Sequence, residues 1–169
     1  MEKLNNGTDV EKYCESGNLT QPFLSDEELK NGVQKYLKRN GNIVDALNTF
    51  IHKHIHTTMS KSQIREKKFQ RTAKQVWEDG YATGCTDYAI VFATLARQMG
   101  YSTTFLQTTE NGFMKSVAKN KSSASAAGHA FCEICVDGNW VLNDPTFSRH
   151  YKQYNPNGFR FETYNGSFT

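Results

Sequence analysis

The 169-residue chain lacks long hydrophobic runs, and no stretch approaches the roughly 18 consecutive apolar residues of a membrane-spanning helix. We therefore expect no integral membrane segment. The N-terminus, which begins Met1-Glu2-Lys3-Leu4, also lacks the apolar stretch of a secretory signal. A signal can be removed from a chain, so the compartment, cytoplasmic or secreted, stays open.

Concentrated positive charge is missing as well. Twenty Lys and Arg side chains against seventeen Asp and Glu leave a net charge of +3, which is ordinary for a soluble domain. Nucleic-acid-binding domains more often carry a basic stripe with stacking aromatic side chains. The nearest candidates, Lys35–Arg39 and Lys61–Lys74, fit solvated helix faces better. We therefore expect no nucleic-acid partner.

A disulfide framework is also absent, because the four cysteines are spread too unevenly for a small secreted scaffold: Cys14, Cys85, Cys132 and Cys135. A chain of this length corresponds to one domain, residues 1–169, and can bury a core without such staples. Within it we expect a polar N-terminal tail or strap over residues 1–25, a core over 26–147 and a C-terminal extension over 148–169.

Helical patterns fill the first half of the chain. The segment Ser25–Glu28 forms a capping box, which predicts a helix that continues to about Arg39. An apolar stripe with a period of about 3.6 residues then predicts a second helix from Asn42 or Asp45. A third, weaker helical stretch covers Ser62–Trp77.

The strongest helical pattern runs from Cys85 to about Met99, where Gly100 can end it. Three strand patterns follow, at Tyr101–Thr108, Ala130–Val136 and Trp140–Leu142. Residues 109–128, rich in Gly, Ser, Asn, Lys and Ala, are expected to form a mobile loop that acts as a specificity element or lid. Helices first and strands later indicate an α+β domain.

Asp137-Gly138 lies between the last two apolar runs and predicts a two-residue type I′ hairpin. Such a turn pairs Val136 with Asn139, and the same register carries along both strands. A shift of the register by one residue would move every later side chain to the other face of the sheet. The chemistry of this turn therefore decides which polar residues can meet.

In that register Asp144 lies opposite Phe131, and His129 lies two residues further along on the same face. Diagonal neighbours of this kind are about 7–8 Å apart at the backbone, which allows a hydrogen bond between histidine and carboxylate. An ordinary sheet histidine and a turn-forming aspartate before Pro145 are an equally open interpretation of this segment alone.

Cys85 directly follows Gly84 and begins the strongest helix. The free N–H groups and the positive dipole end of a helix N-terminus favour thiolate over thiol. The same donors can stabilise an oxyanion on a carbonyl group under attack. A histidine completes such a site by activating the thiol, and a carboxylate holds the histidine tautomer. Cys85, His129 and Asp144 have the residue types for these roles.

Three ordered motifs resemble those of the transglutaminase-like superfamily in a minimal, bacterial-type form. Residues 84–100 resemble its cysteine motif, G-x-C-x-(D/E)-x-A and an apolar helix ending in R-x-x-G, although the glycine here directly precedes Cys85. His129-Ala130-Phe131 is similar to its H-A-(W/F) element, and residues 138–146 are similar to its G-x-W-x-x-x-D-P-T element. The resemblance covers about residues 40–147.

The resemblance implies a papain-like α+β core, with N-terminal helices packed on an antiparallel sheet and the nucleophile at the start of the central helix. It implies Cys85 as nucleophile, His129 as general base and acid, and Asp144 as the group that orients His129. Asn143 could take the place of Asp144, but the predicted register directs Asn143 to the face of the sheet opposite His129. The resemblance also implies a second oxyanion donor upstream of Cys85, for which the candidates are Trp77, Gln75, Tyr81 and Thr83.

Two further patterns suggest metal ligands but fit other interpretations better. Cys132 and Cys135 form a C-x-x-C pair, yet within one predicted strand their odd separation points them to opposite faces. His52 and His56 would share a helix face with His54 beside them, but no acidic or cysteine ligand follows nearby, so we interpret a partly solvated helix edge. We expect neither a metal nor a cofactor.

Three functions are compatible with these residues. The favoured one is a cysteine hydrolase, a protease, peptidase or deamidase, that cleaves an amide of a protein or peptide substrate through a thioester. A transglutaminase would use the same thioester and resolve it with a lysine amine, and the minimal size of the domain favours hydrolysis. A catalytically silent binding domain of the same fold is the third. The sequence does not indicate an oligomeric state.

Overall fold

A computed structural model describes residues 16–57, 61–67, 70–108, 129–152 and 161–163. Within these ranges the helices are α1 Asp26–Asn40, α2 Ile43–His54, α3 Lys61–Lys67, α4 Ala73–Asp79 and α5 Cys85–Gln98. The strands are β1 His56–Thr57, β2 Tyr81–Ala82, β3 Thr103–Thr108, β4 His129–Val136, β5 Asn139–Asp144, β6 Arg149–Tyr151 and β7 Phe161–Thr163. None of the described helices has the length and apolar character needed to cross a membrane. The α+β class predicted from the sequence is confirmed.

The main sheet has five antiparallel strands in the order β6-β5-β4-β3-β7, and β1 and β2 form a separate parallel pair. The predicted hairpin register is confirmed: Val136 pairs with Asn139, and the pairing continues in step to Cys132 and Asn143. Positive φ angles of 51° at Asp137 and 79° at Gly138 give the turn the backbone twist that type I′ hairpins require. β5 extends to Asp144, two residues beyond the predicted strand.

The first two helices begin where the sequence predicts. The Ser25 hydroxyl accepts a hydrogen bond from the Glu28 N–H at 3.1 Å, and the Glu28 carboxylate accepts one from the Ser25 N–H at 2.9 Å. Gly41 ends α1 in the left-handed conformation with φ 77°. Asn42 then caps α2 by accepting a hydrogen bond from the Asp45 N–H. These local caps fix where α1 begins and ends and where α2 begins.

The third predicted helix, Ser62–Trp77, is wrong as a single element because the structure divides it into α3 and α4. Thr72 lies between them in an extended conformation, with φ −72° and ψ 164°. Its hydroxyl accepts from the Gln75 N–H, and the Gln75 side chain accepts from the Thr72 N–H. A second capping box therefore begins a new helix inside the predicted one.

Helix α5 lies at the centre of the core. Every residue from Thr86 to Ala96 is buried, because α5 packs against α2 and α4 as well as strands β3 and β4. Ala130, Cys132 and Ile134 belong to this core on β4. The small residues Ala89, Ala93 and Ala96 of α5 allow neighbouring elements to approach closely. The arrangement brings the first turn of α5 beside the first residues of β4.

Part of the predicted N-terminal strap lies on this core. The Ala73 N–H donates to the Leu19 carbonyl at 2.8 Å, and the Arg97 guanidinium donates to the Thr20 hydroxyl at 3.1 Å. The Phe23 ring lies 5.5 Å from the Trp77 ring. Residues 1–15, including Cys14, and the predicted loop at 109–128 lie outside the described residues.

Candidate active site

Cys85 is the first residue of α5 and is partly exposed. Gly84 occupies the N-cap position, has no side chain and makes no side-chain cap hydrogen bond. A Cβ atom placed on Gly84 would meet nothing within 4 Å. Space is therefore open beside Gly84, and the first N–H groups of α5, which have no acceptor within the helix, can donate to a negatively charged oxygen.

His129 and Asp144 meet at the end of the β4–β5 hairpin. The His129 Nε2 and Asp144 Oδ2 atoms are 2.6 Å apart, and the two side chains are 7% and 1% exposed. Because Nε2 is engaged by the carboxylate, Nδ1 is the ring nitrogen left to interact with the Cys85 thiol. The hydrogen bond expected from the strand register is thus present.

The neighbouring backbone connects this pair to the cysteine. The Ala130 N–H donates to the Cys85 sulfur at a distance of 3.4 Å. The His129 and Cys85 side chains also form a hydrogen bond, which lowers the pKa of Cys85 and raises that of His129. The structure therefore brings Cys85, His129 and Asp144 together in one partly buried cluster.

Electrostatics in this cluster favour a charged pair. Burial, the largest influence on Cys85, raises its pKa, but the hydrogen bond and charge of His129 and the Ala130 N–H outweigh it, so the pKa of this thiol lies below its ordinary value. Burial also opposes the charge on His129, yet the hydrogen bonds to Asp144 and Cys85 raise its pKa from 6.5 to about 10. The arrangement therefore shifts the equilibrium toward a thiolate beside an imidazolium.

Comparison with known proteins identifies the family. A family model of the transglutaminase-like superfamily matches residues 27–145. The chain belongs to the transglutaminase-like superfamily. The matched segment includes Cys85, His129 and Asp144. No curated protein sequence matches the chain.

A solved structure shares the fold of this transglutaminase-like chain. It is described as a "Putative Cysteine Protease from Cytophaga hutchinsonii" and superposes with a TM-score of 0.55 at 15% sequence identity. The superposition covers 93% of this chain and 53% of that protein, so this chain spans about half of its length. The predicted transglutaminase-like, papain-like fold is confirmed.

Asn143 is turned away from the histidine of this transglutaminase-like site. Its side-chain amide exchanges two hydrogen bonds with the amide of Asn48, at 2.9 Å and 3.0 Å, in the fully buried contact between β5 and α2. Adjacent residues of a strand point to opposite faces, so only one of Asn143 and Asp144 can face His129. The structure selects Asp144.

The four upstream candidates for a second oxyanion donor are engaged elsewhere. Trp77 is buried and stacks on the exposed His54, Gln75 caps α4, and the Tyr81 ring lies 4.4 Å from the Arg71 guanidinium carbon. Thr83 donates both its N–H and its hydroxyl to Asp87. In the described part of the chain no hydrogen bond joins any of the four to Cys85.

An aromatic side chain that was not predicted from the sequence also lies at the site. Phe147 follows the D-P-T motif, is 39% exposed, and places its ring 5.8 Å from the His129 ring. Only Leu37 is a comparably exposed large apolar residue in the described ranges. Its position three residues after Asp144 is the one feature of the sequence that could have indicated a place near the site. In the structure the Phe147 ring forms an apolar surface beside His129.

The other cysteines and histidines occupy different environments. Cys132 is fully buried against α5, and Cys135 is partly exposed on the opposite face of β4, as their odd separation predicts. The predicted shared face of His52 and His56 is wrong, because α2 ends at His54 and His56 lies in β1. His52 instead contacts the Pro145 carbonyl through Nε2 at 2.6 Å. No grouping of three metal-ligating side chains occurs within the described ranges.

Proposed function

We propose that the chain is a cysteine hydrolase that cleaves an amide bond of a protein or peptide through a thioester intermediate. Cys85 is the nucleophile, His129 the general acid and base, and Asp144 the residue that orients His129. The observation that carries the proposal is the position of the His129 ring, which contacts Asp144 on one side and Cys85 on the other. The description of the structural neighbour as a protease also supports hydrolysis.

The first half of the reaction forms the acyl-enzyme. The Cys85 thiolate attacks the amide carbonyl carbon, and the developing oxyanion accepts hydrogen bonds from the N-terminal N–H groups of α5. The imidazolium of His129 then gives its proton to the amide nitrogen. The C–N bond breaks, the amine leaves, and the acyl group remains on the Cys85 sulfur as a thioester.

The second half releases the product. Neutral His129 takes a proton from water, and the resulting hydroxide equivalent attacks the thioester carbonyl. The C–S bond breaks, the carboxylic acid product leaves and the thiolate–imidazolium pair is restored. Asp144 holds Nε2–H throughout, which keeps Nδ1 directed at the reacting atoms.

Incubation with a casein-like protein mixture tests this function. New peptide termini or released ammonia, absent from the Cys85→Ala variant, are the expected result. Cross-linked products without new termini or ammonia release would instead mean that an amine resolves the thioester, and would contradict hydrolysis. A matched Cys135→Ala variant should retain the wild-type activity, because that thiol has no place in the proposed mechanism.

A further inference from the structure

The residues flanking Cys85 are held by a buried carboxylate. Asp87 Oδ2 accepts three hydrogen bonds: from the Thr83 N–H at 2.7 Å, from the Thr83 hydroxyl at 2.8 Å and from Arg71 Nη2 at 2.8 Å. We call Arg71, Thr83 and Asp87 the Asp87 cluster. Their exposed fractions are 4%, 8% and 2%, so the cluster is shielded from water.

Arg71 extends the Asp87 cluster to the preceding elements. Its Nη1 atom donates to Asp79 Oδ2 at 2.9 Å, at the end of α4, and its guanidinium carbon lies 4.4 Å from the centre of the Tyr81 ring in β2. Removing one partner of a buried ion pair is strongly unfavourable, because it leaves the other charge buried and uncompensated. Arg71 therefore allows Asp87 to accept all three hydrogen bonds at once.

Two residues of the Asp87 cluster flank the nucleophile in the sequence. Thr83 lies two residues before Cys85 and Asp87 two residues after it, so the hydrogen bonds between them close a short loop over Gly84 and Cys85. Gly84 itself contributes no side chain and no cap hydrogen bond. The direction of the Cys85 backbone N–H is consequently determined by the bonds of its neighbours.

We propose that Arg71, Thr83 and Asp87 are positioning residues that fix the Cys85 backbone N–H in the direction needed to stabilise an oxyanion. The proposal rests on the proposed function, because only an acyl-transfer reaction at Cys85 develops such a charge. The Asp87 cluster does not contact substrate. It acts through the peptide groups on either side of the nucleophile, where a small misplacement weakens an electrostatic contact that depends on direction.

Two reactions of the same thiol separate this role from simple folding. 4-Nitrophenyl acetate acylates Cys85: the sulfur bonds to the carbonyl carbon through an oxyanionic intermediate, and 4-nitrophenolate leaves. Iodoacetamide alkylates Cys85: the sulfur bonds to the methylene carbon and iodide leaves, without an oxyanion. The ratio of the two rates at Cys85 therefore measures oxyanion stabilisation and needs no knowledge of the natural substrate.

Thr83→Val is the first variant, since it removes the hydroxyl donor and keeps the backbone hydrogen bond and the ion pair. We expect acylation to fall about 10-fold, a fraction of the roughly 10²–10³ lost when an oxyanion donor is removed outright. Alkylation should change less than about 3-fold, because the thiolate and His129 are untouched. Thr83→Ser restores the hydroxyl and should restore acylation.

Thr94→Val is the matched control. Thr94 lies in α5, nine residues after Cys85, is buried like Thr83, and donates its hydroxyl to the Ile90 carbonyl at 2.7 Å. The variant makes the same substitution without touching the Asp87 cluster, so the rate ratio should stay at the wild-type value. Arg71→Lys gives a second test, because lysine keeps the charge but cannot donate to Asp79 and Asp87 in the same planar geometry; the ratio should fall as it does for Thr83→Val.

The outcomes distinguish the two proposals. An unchanged rate ratio in Thr83→Val and Arg71→Lys, whether both rates fall together or neither falls, would overturn the positioning role and leave the proposed function standing. If wild-type Cys85 reacts with neither reagent faster than the partly exposed Cys135, the proposed function itself fails. Background acylation is subtracted with Cys85→Ala.

Discussion

Cys85 lies on α5 and Cys132 lies on β4, where these two elements pack together, and the pKa values of the two thiols shift in opposite directions. The Cys85 sulfur accepts a hydrogen bond from the Ala130 N–H, whereas the Cys132 sulfur donates one to the Ala89 carbonyl, each at 3.4 Å. Burial raises the pKa of Cys132, while His129 brings the pKa of Cys85 below its ordinary value despite burial.

Burial raises the pKa of both thiols, so it is the partners of each thiol that decide the direction of its overall pKa shift. In the middle of α5 the Cys132 sulfur meets the Ala89 carbonyl oxygen, which can accept a hydrogen bond only from a protonated thiol. At the start of α5 the free groups are N–H donors, and a histidine adds positive charge. The following changes either remove this difference or make it measurable.

The largest effect is expected from His129→Ala, because His129 lowers the pKa of Cys85 whereas the pKa of Cys132 is raised. Without the imidazolium, burial again dominates and the pKa of Cys85 rises, so the thiolate population at neutral pH falls. Loss of the acid and base as well should lower amide hydrolysis at least about 10³-fold. Steady-state hydrolysis and the rate of iodoacetamide alkylation measure the two parts. A variant that hydrolyses amides within 10-fold of the wild type would contradict the role of His129.

A smaller loss is expected from Asp144→Asn. The amide oxygen can still accept from His129 Nε2–H, so the ring orientation is retained, but the negative charge that raises the pKa of His129 is lost. We expect hydrolysis to fall about 10²-fold and its decline at high pH to begin at a lower pH. Asn143→Asp is the control, because that residue contacts Asn48 and not His129. In the double variant Asn143→Asp/Asp144→Asn, the carboxylate at position 143 should not restore the hydrolysis lost with Asp144→Asn.

In the unmodified protein, Cys85 and Cys132 should also differ in the pH dependence of their reactions. Alkylation of Cys85 should reach half of its maximal rate below pH 9.0, the ordinary pKa of a cysteine, because its own pKa is lowered. Hydrolysis should rise with the thiolate and fall again as the pH passes about 10, where His129 loses its proton. Cys132 should not react in this range, since its pKa is raised. Peptide mapping by mass spectrometry after timed alkylation measures each thiol. Equal rates for Cys85 and Cys135 would contradict thiolate activation.

The smallest effect on activity is expected from Cys132→Ala. Removing a fully buried sulfur leaves a small cavity beside Ala89, which should lower the free energy of unfolding by roughly 1–2 kcal/mol. Hydrolysis should remain within about 2-fold of the wild type, because a structural thiol contributes only packing. Denaturant unfolding and the casein assay measure the two quantities. A large loss of activity in a folded Cys132→Ala variant would show that the two thiols are not independent.

Local patterns predicted the parts of the fold that depend on neighbours in the chain. The capping box of Ser25 and Glu28 and the register that follows Asp137-Gly138 involve hydrogen bonds over a few residues, so the sequence was sufficient for both. The second capping box, at Thr72 and Gln75, was equally local but lay within an apolar pattern that continued past it. Strands β6 and β7 have three residues each, too few for a period to be visible.

The sequence alone determined which residues could act: a cysteine at a helix start, and a histidine and an aspartate on one face of a hairpin whose turn allows one register. It could not determine that Arg71, sixteen residues before Asp87, supports the loop around Cys85, or that Phe147 lies beside His129. These contacts depend on how α4, α5 and the hairpin pack. Tertiary packing also decided the direction of the pKa shift of Cys85, because a pKa reflects burial and the groups that come near, and both exist only in the folded chain.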